Sequence, residues 1–324
     1  MKSEQIAPRL YYHSEGDAVM FSTTRHGGVS CGEYEEFNIN EYCGDSAEAI
    51  ATNRQALCDA LGIDEAHLVM PHQTHGVEVR QIAADFITLP ENIRRMILEG
   101  VDAVMTNESG VCIGVSTADC IPIIIYDAQH HAVAVAHAGW RGTVARIAEK
   151  TIKAMALAYK SEPKDLTCVI GPGIELDAFE VGMEVYEQFC QAGFETSAKF
   201  VRGKWHIDLK ECNRLQLVEL GVRPEAITVS QICTYTDNHD FFSARRQGIN
   251  SGRIFTGALL SPLSLCRNGV LRKLSICETL ITKHNENTTP IMYICCTPGA
   301  DIGYKGRVYS HRTTTDTDRD ARAV

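Results

Sequence analysis

Long hydrophobic runs are missing from this sequence of 324 residues. The longest one covers residues 120–126 and contains Pro122, whereas a membrane-spanning helix needs roughly 18 consecutive apolar residues. The opening residues, MKSEQIAPRL, also lack the apolar segment of a secretory signal. We therefore expect no membrane partner and a cytoplasmic location.

Paired cysteines and several ligand-binding motifs are missing too. None of the 13 cysteines belongs to a Cys-x-x-Cys pair, which argues against a disulfide framework and a ribbon-type zinc site. The 12 histidines include no His-x-His pair. No Gly-x-x-x-x-Gly-Lys loop occurs, and Gly171-Pro172-Gly173 lacks the third glycine of a dinucleotide fingerprint, so kinase-like and Rossmann-type sites are excluded.

Positive charge is also scarce. The formal net charge of -10 excludes non-specific nucleic-acid binding, because that binding depends on clustered Lys and Arg. Residues 262–324 differ, with nine Lys and Arg against six Asp and Glu. This change predicts a domain at residues 1–261 and a C-terminal extension at 262–324, partly disordered because its last part has few apolar residues.

Short apolar segments alternate with helical patterns along residues 1–261. With 44% hydrophobic residues the chain has the composition of a globular protein with a sizeable core. Several segments are continuously apolar, which is typical of strands covered on both faces in α/β or layered α+β domains. The predicted strands are residues 18–24, 67–70, 77–82, 111–115, 121–126, 132–136, 167–170 and 226–234.

Two capping boxes mark the starts of helices. Asp45 with Glu48, and Asp208 with Glu211, are acceptors followed three residues later by a glutamate. The helices that they open should stop at the glycines at positions 62 and 221, and another helix is predicted at 183–191.

A further amphipathic helix is predicted after Gly142, with its N-terminus just beyond Trp140-Arg141-Gly142. Free backbone N–H groups and the helix dipole favour an anion at such a position. The sequence therefore indicates a possible phosphate-binding place beside Arg141.

Cys120 and His137 lie at the ends of two short apolar segments, where their side chains could converge. His75 is a third candidate farther upstream. Two imidazoles and a thiolate suit zinc, and three protein ligands leave the fourth position open, as in catalytic zinc sites. However, 16 residues separate Cys120 from His137, and such spacing does not establish convergence.

Seven ordered segments resemble one known family, the multicopper polyphenol oxidoreductase (laccase)-like family. The likeness spans residues 15–257, and HAGWRG is itself distinctive. The segments are TTRHGGVS at 23–30, QTHG at 73–76, DAVMT at 102–106, TADC at 117–120, HAGWRG at 137–142, IGP at 170–172 and SGR at 251–253.

This resemblance implies a single α+β domain of layered mixed sheets flanked by helices. It also implies a zinc ion bound by His75, Cys120 and His137, which would then be catalytic. The implied activities are phosphorolysis of adenosine, inosine and guanosine, with methylthioadenosine as a further substrate, and deamination of adenosine. Purine nucleosides and inorganic phosphate are the implied partners.

Three more residues are candidates for the chemistry of such a site. Arg25, beside a glycine loop, and Arg141 are phosphate candidates, because guanidinium groups bind oxyanions through two parallel hydrogen bonds. Asp119 could orient a zinc ligand or carry a proton. Neighbouring residues of a strand face opposite sides, so a direct role for both Asp119 and Cys120 requires a bend, which Pro122 makes plausible.

Three other functions stay open at this point. Cys120 could be the nucleophile of a cysteine hydrolase, activated by His137 or His75. The chain could be a non-catalytic zinc protein if His72 supplied a fourth ligand. Copper-dependent polyphenol oxidation is disfavoured, because the three-copper cluster of such oxidases commonly uses His-x-His pairs, although a His-Cys-His site could bind copper.

Overall fold

Strands and helices follow one another irregularly along the chain. The computed structural model describes residues 6–14 and 17–261, and the backbone of two short strands beyond them. The helices are α1 (Ala47–Leu61), α2 (Glu91–Leu98), α3 (Trp140–Val144), α4 (Ile147–Tyr159), α5 (Met183–Gln191), α6 (Leu209–Glu219) and α7 (Ala244–Gln247). The strands are β1 (Arg9–Ser14), β2 (Ala18–Thr23), β3 (Leu68–Val69), β4 (Val79–Gln81), β5 (Ala103–Thr106), β6 (Cys112–Thr117), β7 (Ile121–Asp127), β8 (Ala132–Ala138), β9 (Thr167–Ile170), β10 (Glu180–Val181), β11 (Ala198–Val201), β12 (Lys204–Ile207), β13 (Ile227–Val229), β14 (Ile254–Leu260), β15 (Ile276–Cys277) and β16 (Tyr293–Cys296).

The strands form three sheets. A seven-stranded sheet has the order β15-β16-β1-β2-β14-β6-β3, a six-stranded sheet the order β13-β9-β7-β8-β5-β4, and a small sheet the order β10-β12-β11. Both large sheets are mixed, because β3 is parallel to β6, β4 to β5 and β13 to β9, while their other neighbours are antiparallel. The prediction of mixed sheets is confirmed.

The two large sheets pack face to face, and helices cover their outer faces. One apolar cluster joins Ile113 and Val115 of β6 to Ile124 of β7 and Val135 of β8. On the far side of the six-stranded sheet, residues of α4 and α6 pack against Ile123 and its neighbours. On the far side of the seven-stranded sheet, α1 packs through Leu57, Cys58 and Leu61. This layered α+β arrangement is the predicted one.

The central strands agree best with the sequence. The prediction of residues 167–170 matches β9, and β7 and β8 extend their predicted ranges by one and two residues. The strand β6 begins one residue later and ends two residues later than predicted. All seven residues of β8 are buried, which explains the unbroken apolar segment at 132–136 within it. The prediction at 226–234 was too long, because only Ile227–Val229 is a strand. At 67–70 the strand shrinks to Leu68–Val69 after a 3-10 turn.

Two helix starts differ from the predicted ones. The helix α1 is capped by Ser46, whose hydroxyl accepts from the Ala49 N–H, rather than by Asp45. The helix expected after Gly142 begins earlier, at Trp140, and is interrupted because Arg146 has a left-handed backbone conformation with φ of 61°. Gly142 therefore lies inside α3, and the helix N-terminus predicted just beyond it is found at Trp140 instead. At α6 the N-cap is confirmed, because the Asp208 side chain accepts from the Glu211 N–H. The other half of the predicted box is absent, since the Asp208 N–H donates to the Ser197 carbonyl and the Glu211 carboxylate accepts from Arg214.

The proposed boundary near Pro262 lies just after β14. The extension at 262–324 falls outside the described residues, except for β15 and β16, of which β16 pairs with β1. Within the described part of the chain, none of the helices is both long enough and apolar enough to cross a bilayer.

Candidate active site

The pairing of β7 with β8 brings Cys120 next to His137. These antiparallel strands are in register with Pro122 opposite His137 and Ile121 opposite Ala138. Cys120 directly precedes β7, so its side chain lies at the same edge of the sheet as the last residues of β8. The hairpin of β7 and β8 therefore brings together Cys120 and His137, although 16 residues separate them in the sequence.

His75 reaches the same place on a loop between β3 and β4, where its φ is 63°. The neighbouring Gln73 fastens this loop to the end of β6. Its side-chain Nε2 donates to the Ser116 carbonyl at 2.9 Å, and its Oε1 accepts from the Ser116 N–H at 2.8 Å. The side-chain amide of Gln73 thus makes the same pair of hydrogen bonds with β6 that the backbone of a neighbouring strand would make.

Asp102 holds both histidines. Its carboxylate is fully buried and accepts hydrogen bonds from the backbone N–H groups of Thr74, His75 and Gly76 at 3.2, 3.0 and 2.7 Å. Its Oδ1 also lies 2.8 Å from Nδ1 of His137. Burial alone would raise the pKa of Asp102, but the hydrogen bond and charge of His137, followed by the N–H groups of Gly76 and Thr74, lower it.

The ligand atoms of His75, Cys120 and His137 all lie within 4.8 Å of one another. Because Asp102 occupies Nδ1 of His137, the Nε2 atom of that ring is left for the cluster. Gly139 borders the same space: a Cβ there would lie 3.1 Å from Cδ2 of His75 and 3.2 Å from Sγ of Cys120. Two imidazoles, a thiolate, an orienting carboxylate and a glycine beside them fit a transition-metal ion.

The two histidines of the cluster favour the thiolate form of Cys120. Burial would raise the pKa of Cys120, but the charge and hydrogen bonds of His137 and His75 lower it to about 6. Burial would likewise lower the pKa of His137, but Cys120 and Asp102 raise it to about 9. At neutral pH the metal-free pair is therefore a thiolate beside an imidazolium, and the thiolate is the form that binds metals.

Asp119 does not touch either histidine. Its carboxylate accepts from the Thr234 hydroxyl at 2.7 Å and from the Arg245 N–H at 2.6 Å. The expectation that Asp119 could orient a zinc ligand is therefore corrected: Asp102, in the DAVMT segment, is the carboxylate that contacts one. The chain bends at Asp119 itself, where φ is 85°, and Pro122 lies inside the regular strand β7.

The two arginine candidates have different surroundings. The Arg25 guanidinium donates to the carbonyls of Glu35 and Asn238, both at 2.8 Å. Arg141 is exposed, and its guanidinium lies over the neighbouring Trp140 ring at 4.3 Å. Arg141 is two residues after Gly139, so its backbone lies beside the cluster of His75, Cys120 and His137. The contacts of Arg25 therefore connect its own loop to the segments that contain Glu35 and Asn238.

His72 lies outside the cluster. Its Nδ1 atom is 2.9 Å from Oε1 of Glu99, and its ring stacks on Tyr42 with the centroids 4.0 Å apart. The ring of His72 is therefore held by Glu99 and Tyr42. The group of His75, Cys120 and His137 does not include it.

Known proteins resemble the chain in both sequence and fold. A protein of Bacteroides thetaiotaomicron named "Purine nucleoside phosphorylase" is 43% identical over 244 residues, which are 74% of this chain and 90% of that protein. "Adenosine deaminase RL5", from an unknown prokaryotic organism, is 45% identical over 241 residues, covering 73% and 92%. The crystal structure of YlmD from Geobacillus stearothermophilus matches with a TM-score of 0.71 and 28% identity, over 78% of this chain and all of that one.

The family with the description "Multi-copper polyphenol oxidoreductase laccase" matches residues 19–261. This match covers about three quarters of the chain and contains every residue of the site. The chain therefore belongs to the multi-copper polyphenol oxidoreductase laccase family, as its seven sequence segments predicted.

Proposed function

We propose that this protein is a zinc-dependent purine nucleoside phosphorylase that also deaminates adenosine. The observation that carries the proposal is the convergence of His75, Cys120 and His137, with ligand atoms within 4.8 Å, beside Gly139. The relatives named for nucleoside phosphorolysis and for adenosine deamination supply the substrate class. Both activities act on a purine nucleoside, so one site can serve both.

The donor set favours zinc. One thiolate and two imidazoles are borderline ligands that suit Zn²⁺, and three protein ligands are the number found in catalytic zinc sites. When bound, the ion would supply Lewis acidity and lower the pKa of water to about 7. The same donors also suit copper, but the sequence has no His-x-His pair of the kind common in three-copper clusters.

The chain's own residues divide the remaining work. His75, Cys120 and His137 would hold the ion, and Asp102 keeps Nε2 of His137 turned towards it. Deamination replaces the amino group on C6 of adenine with oxygen from water and releases ammonia. Asp119, the residue before Cys120, is the proposed proton carrier in this step.

Phosphorolysis needs a second set of contacts. A phosphate oxygen bonds to C1′ of the ribose while the bond from C1′ to N9 of the purine breaks, so phosphate must be held close to the sugar. The guanidinium of Arg141 is exposed beside the cluster and is the proposed phosphate ligand, with Arg25 as a second candidate. Adenosine, inosine, guanosine and methylthioadenosine share this bond and are the proposed substrates.

A cysteine hydrolase is the second candidate function. The observation in its favour is that ring nitrogens of His137 and His75 lie within 4.8 Å of the Cys120 sulfur, where they lower the pKa of Cys120 to about 6 despite its burial. A thiolate beside an imidazolium is also how a nucleophilic cysteine is activated. The two functions differ in whether the Cys120 sulfur is bound to a metal.

Cys120→Ala should abolish both activities on adenosine. The wild type should convert adenosine to inosine without phosphate, and should release free adenine only when phosphate is added; chromatography of the products measures both. Cys168→Ala is the matched control, because Cys168 is a buried cysteine in β9 whose pKa burial raises to about 12. Equal product from wild type and Cys120→Ala would refute the site.

Arg141→Gln should weaken phosphate binding selectively. Loss of charge-assisted hydrogen bonds of about 1.5–3 kcal/mol predicts that the KM for phosphate in phosphorolysis rises roughly tenfold to a hundredfold, while deamination stays within about twofold of wild type. Arg223→Gln serves as control, since that guanidinium donates to the Lys164 carbonyl. An equal loss of both activities would show that Arg141 does not act on phosphate alone.

Alkylation of Cys120 should depend on metal and on pH. In metal-free protein the rate with iodoacetamide should rise as pH increases from about 5 to 7, because the thiolate forms above the pKa of about 6. Added zinc should suppress the reaction. Mass spectrometry of the modified peptide measures the rate. A hydrolase would instead show rapid alkylation that zinc and chelators leave unchanged.

A further inference from the structure

A second group of potential metal ligands lies away from Cys120. It consists of His26, His239 and Asp240, whose ligand atoms also lie within 4.8 Å of one another. His26 follows β2 in the glycine loop, whereas His239 and Asp240 belong to the loop that leads to α7. The backbone joins the same loops, because the Arg25 N–H donates to the Asp240 carbonyl at 2.9 Å.

The distances suit ligands that share one ion. Nε2 of His26 lies 2.9 Å from Oδ1 of Asp240, and Nδ1 of His239 lies 3.6 Å from the same oxygen. Two ligands bound to one zinc at about 2.0–2.1 Å are roughly 3 Å apart. The side chain of His239 is 88% exposed, and its ring meets the His26 ring edge-on with the centroids 5.4 Å apart. A small adjustment of this side chain would complete the set.

Glu36 gives His26 the surroundings of a metal ligand. Oε1 of Glu36 lies 3.7 Å from Nδ1 of His26, on the side of the ring opposite Asp240. Oε2 of Glu36 accepts from the Gly27 N–H at 2.8 Å, which fixes the carboxylate. A metal-bound histidine commonly donates its other ring N–H to a carboxylate, and Glu36 lies just beyond hydrogen-bond distance of that nitrogen. His26 is also mostly buried, with a side chain only 14% exposed.

We propose that His26, His239 and Asp240 form a second site for a divalent transition-metal ion such as Zn²⁺. The site uses only nitrogen and oxygen donors, so it differs chemically from the thiolate cluster, which is the group of His75, Cys120 and His137. An ion there links the loop at 25–36 to the loop at 236–243. The second loop continues to Arg245, whose N–H binds Asp119 at 2.6 Å, so the ion steadies the segment next to Cys120.

Cobalt titration of a variant without the first site tests this directly. In the full-length His75→Ala, Cys120→Ala background, the protein should bind one Co²⁺ per chain, with d–d absorption and no thiolate charge-transfer band. Adding His239→Ala should weaken Co²⁺ binding at least about tenfold, since even loss of an outer carboxylate costs about 10 to 100-fold. Zn²⁺ should raise the unfolding midpoint only while His239 is present.

The control is His67→Ala, which removes a half-buried histidine that belongs to neither metal group and should leave Co²⁺ binding unchanged. Circular dichroism confirms that each variant folds. The proposal is overturned if the double variant binds no Co²⁺, or if His239→Ala leaves the affinity unchanged, which would leave His26 and Asp240 as a simple ion pair. Neither outcome depends on the thiolate cluster or on nucleoside turnover.

Discussion

The carboxylate of Asp102 is the group on which the geometry of the site depends. It binds three successive N–H groups of the loop that carries His75 and the Nδ1 atom of His137. Each hydrogen bond to a charged group contributes about 1.5–3 kcal/mol, and a buried carboxylate without them would be strongly destabilising. The loop and the carboxylate therefore require each other, and this fixes one histidine relative to the other.

The packed sheets supply a rigid frame, and loops at one edge supply the chemistry. The register of β7 and β8 sets Cys120 beside His137, and Gln73 ties the loop of His75 to β6. Asp119 connects this edge to the segment that ends at Arg245. Through that segment, the thiolate cluster and the group around His26 belong to one continuous set of loop contacts.

The sequence predicted the buried strands, whose apolar residues are visible in it. It missed the bends and helix breaks that depend on the backbone conformation of single residues. The apolar segments at 121–126, 132–136 and 168–170 revealed β7, β8 and β9, because both faces of this sheet are covered. The bend at Asp119 and the helix break at Arg146 both depend on positive φ at residues other than glycine, which leave no compositional signal. The role of Asp102 could not be derived from spacing, since its partners lie about 30 residues away on either side. The resemblance did mark it, as the first residue of DAVMT.

The zinc affinity of Asp102→Asn, measured by competition with a chelator, tests the role of Asp102 most directly. The matched control is Asp127→Asn, because Asp127 is equally buried and also accepts from a histidine, His130, at 2.8 Å, and from two backbone N–H groups. Because Asp102 orients His137, Asp102→Asn should lose about 10 to 100-fold in zinc affinity, while Asp127→Asn should keep the affinity of the wild type. A folded Asp102→Asn protein that binds zinc as tightly as the wild type would contradict this role of Asp102.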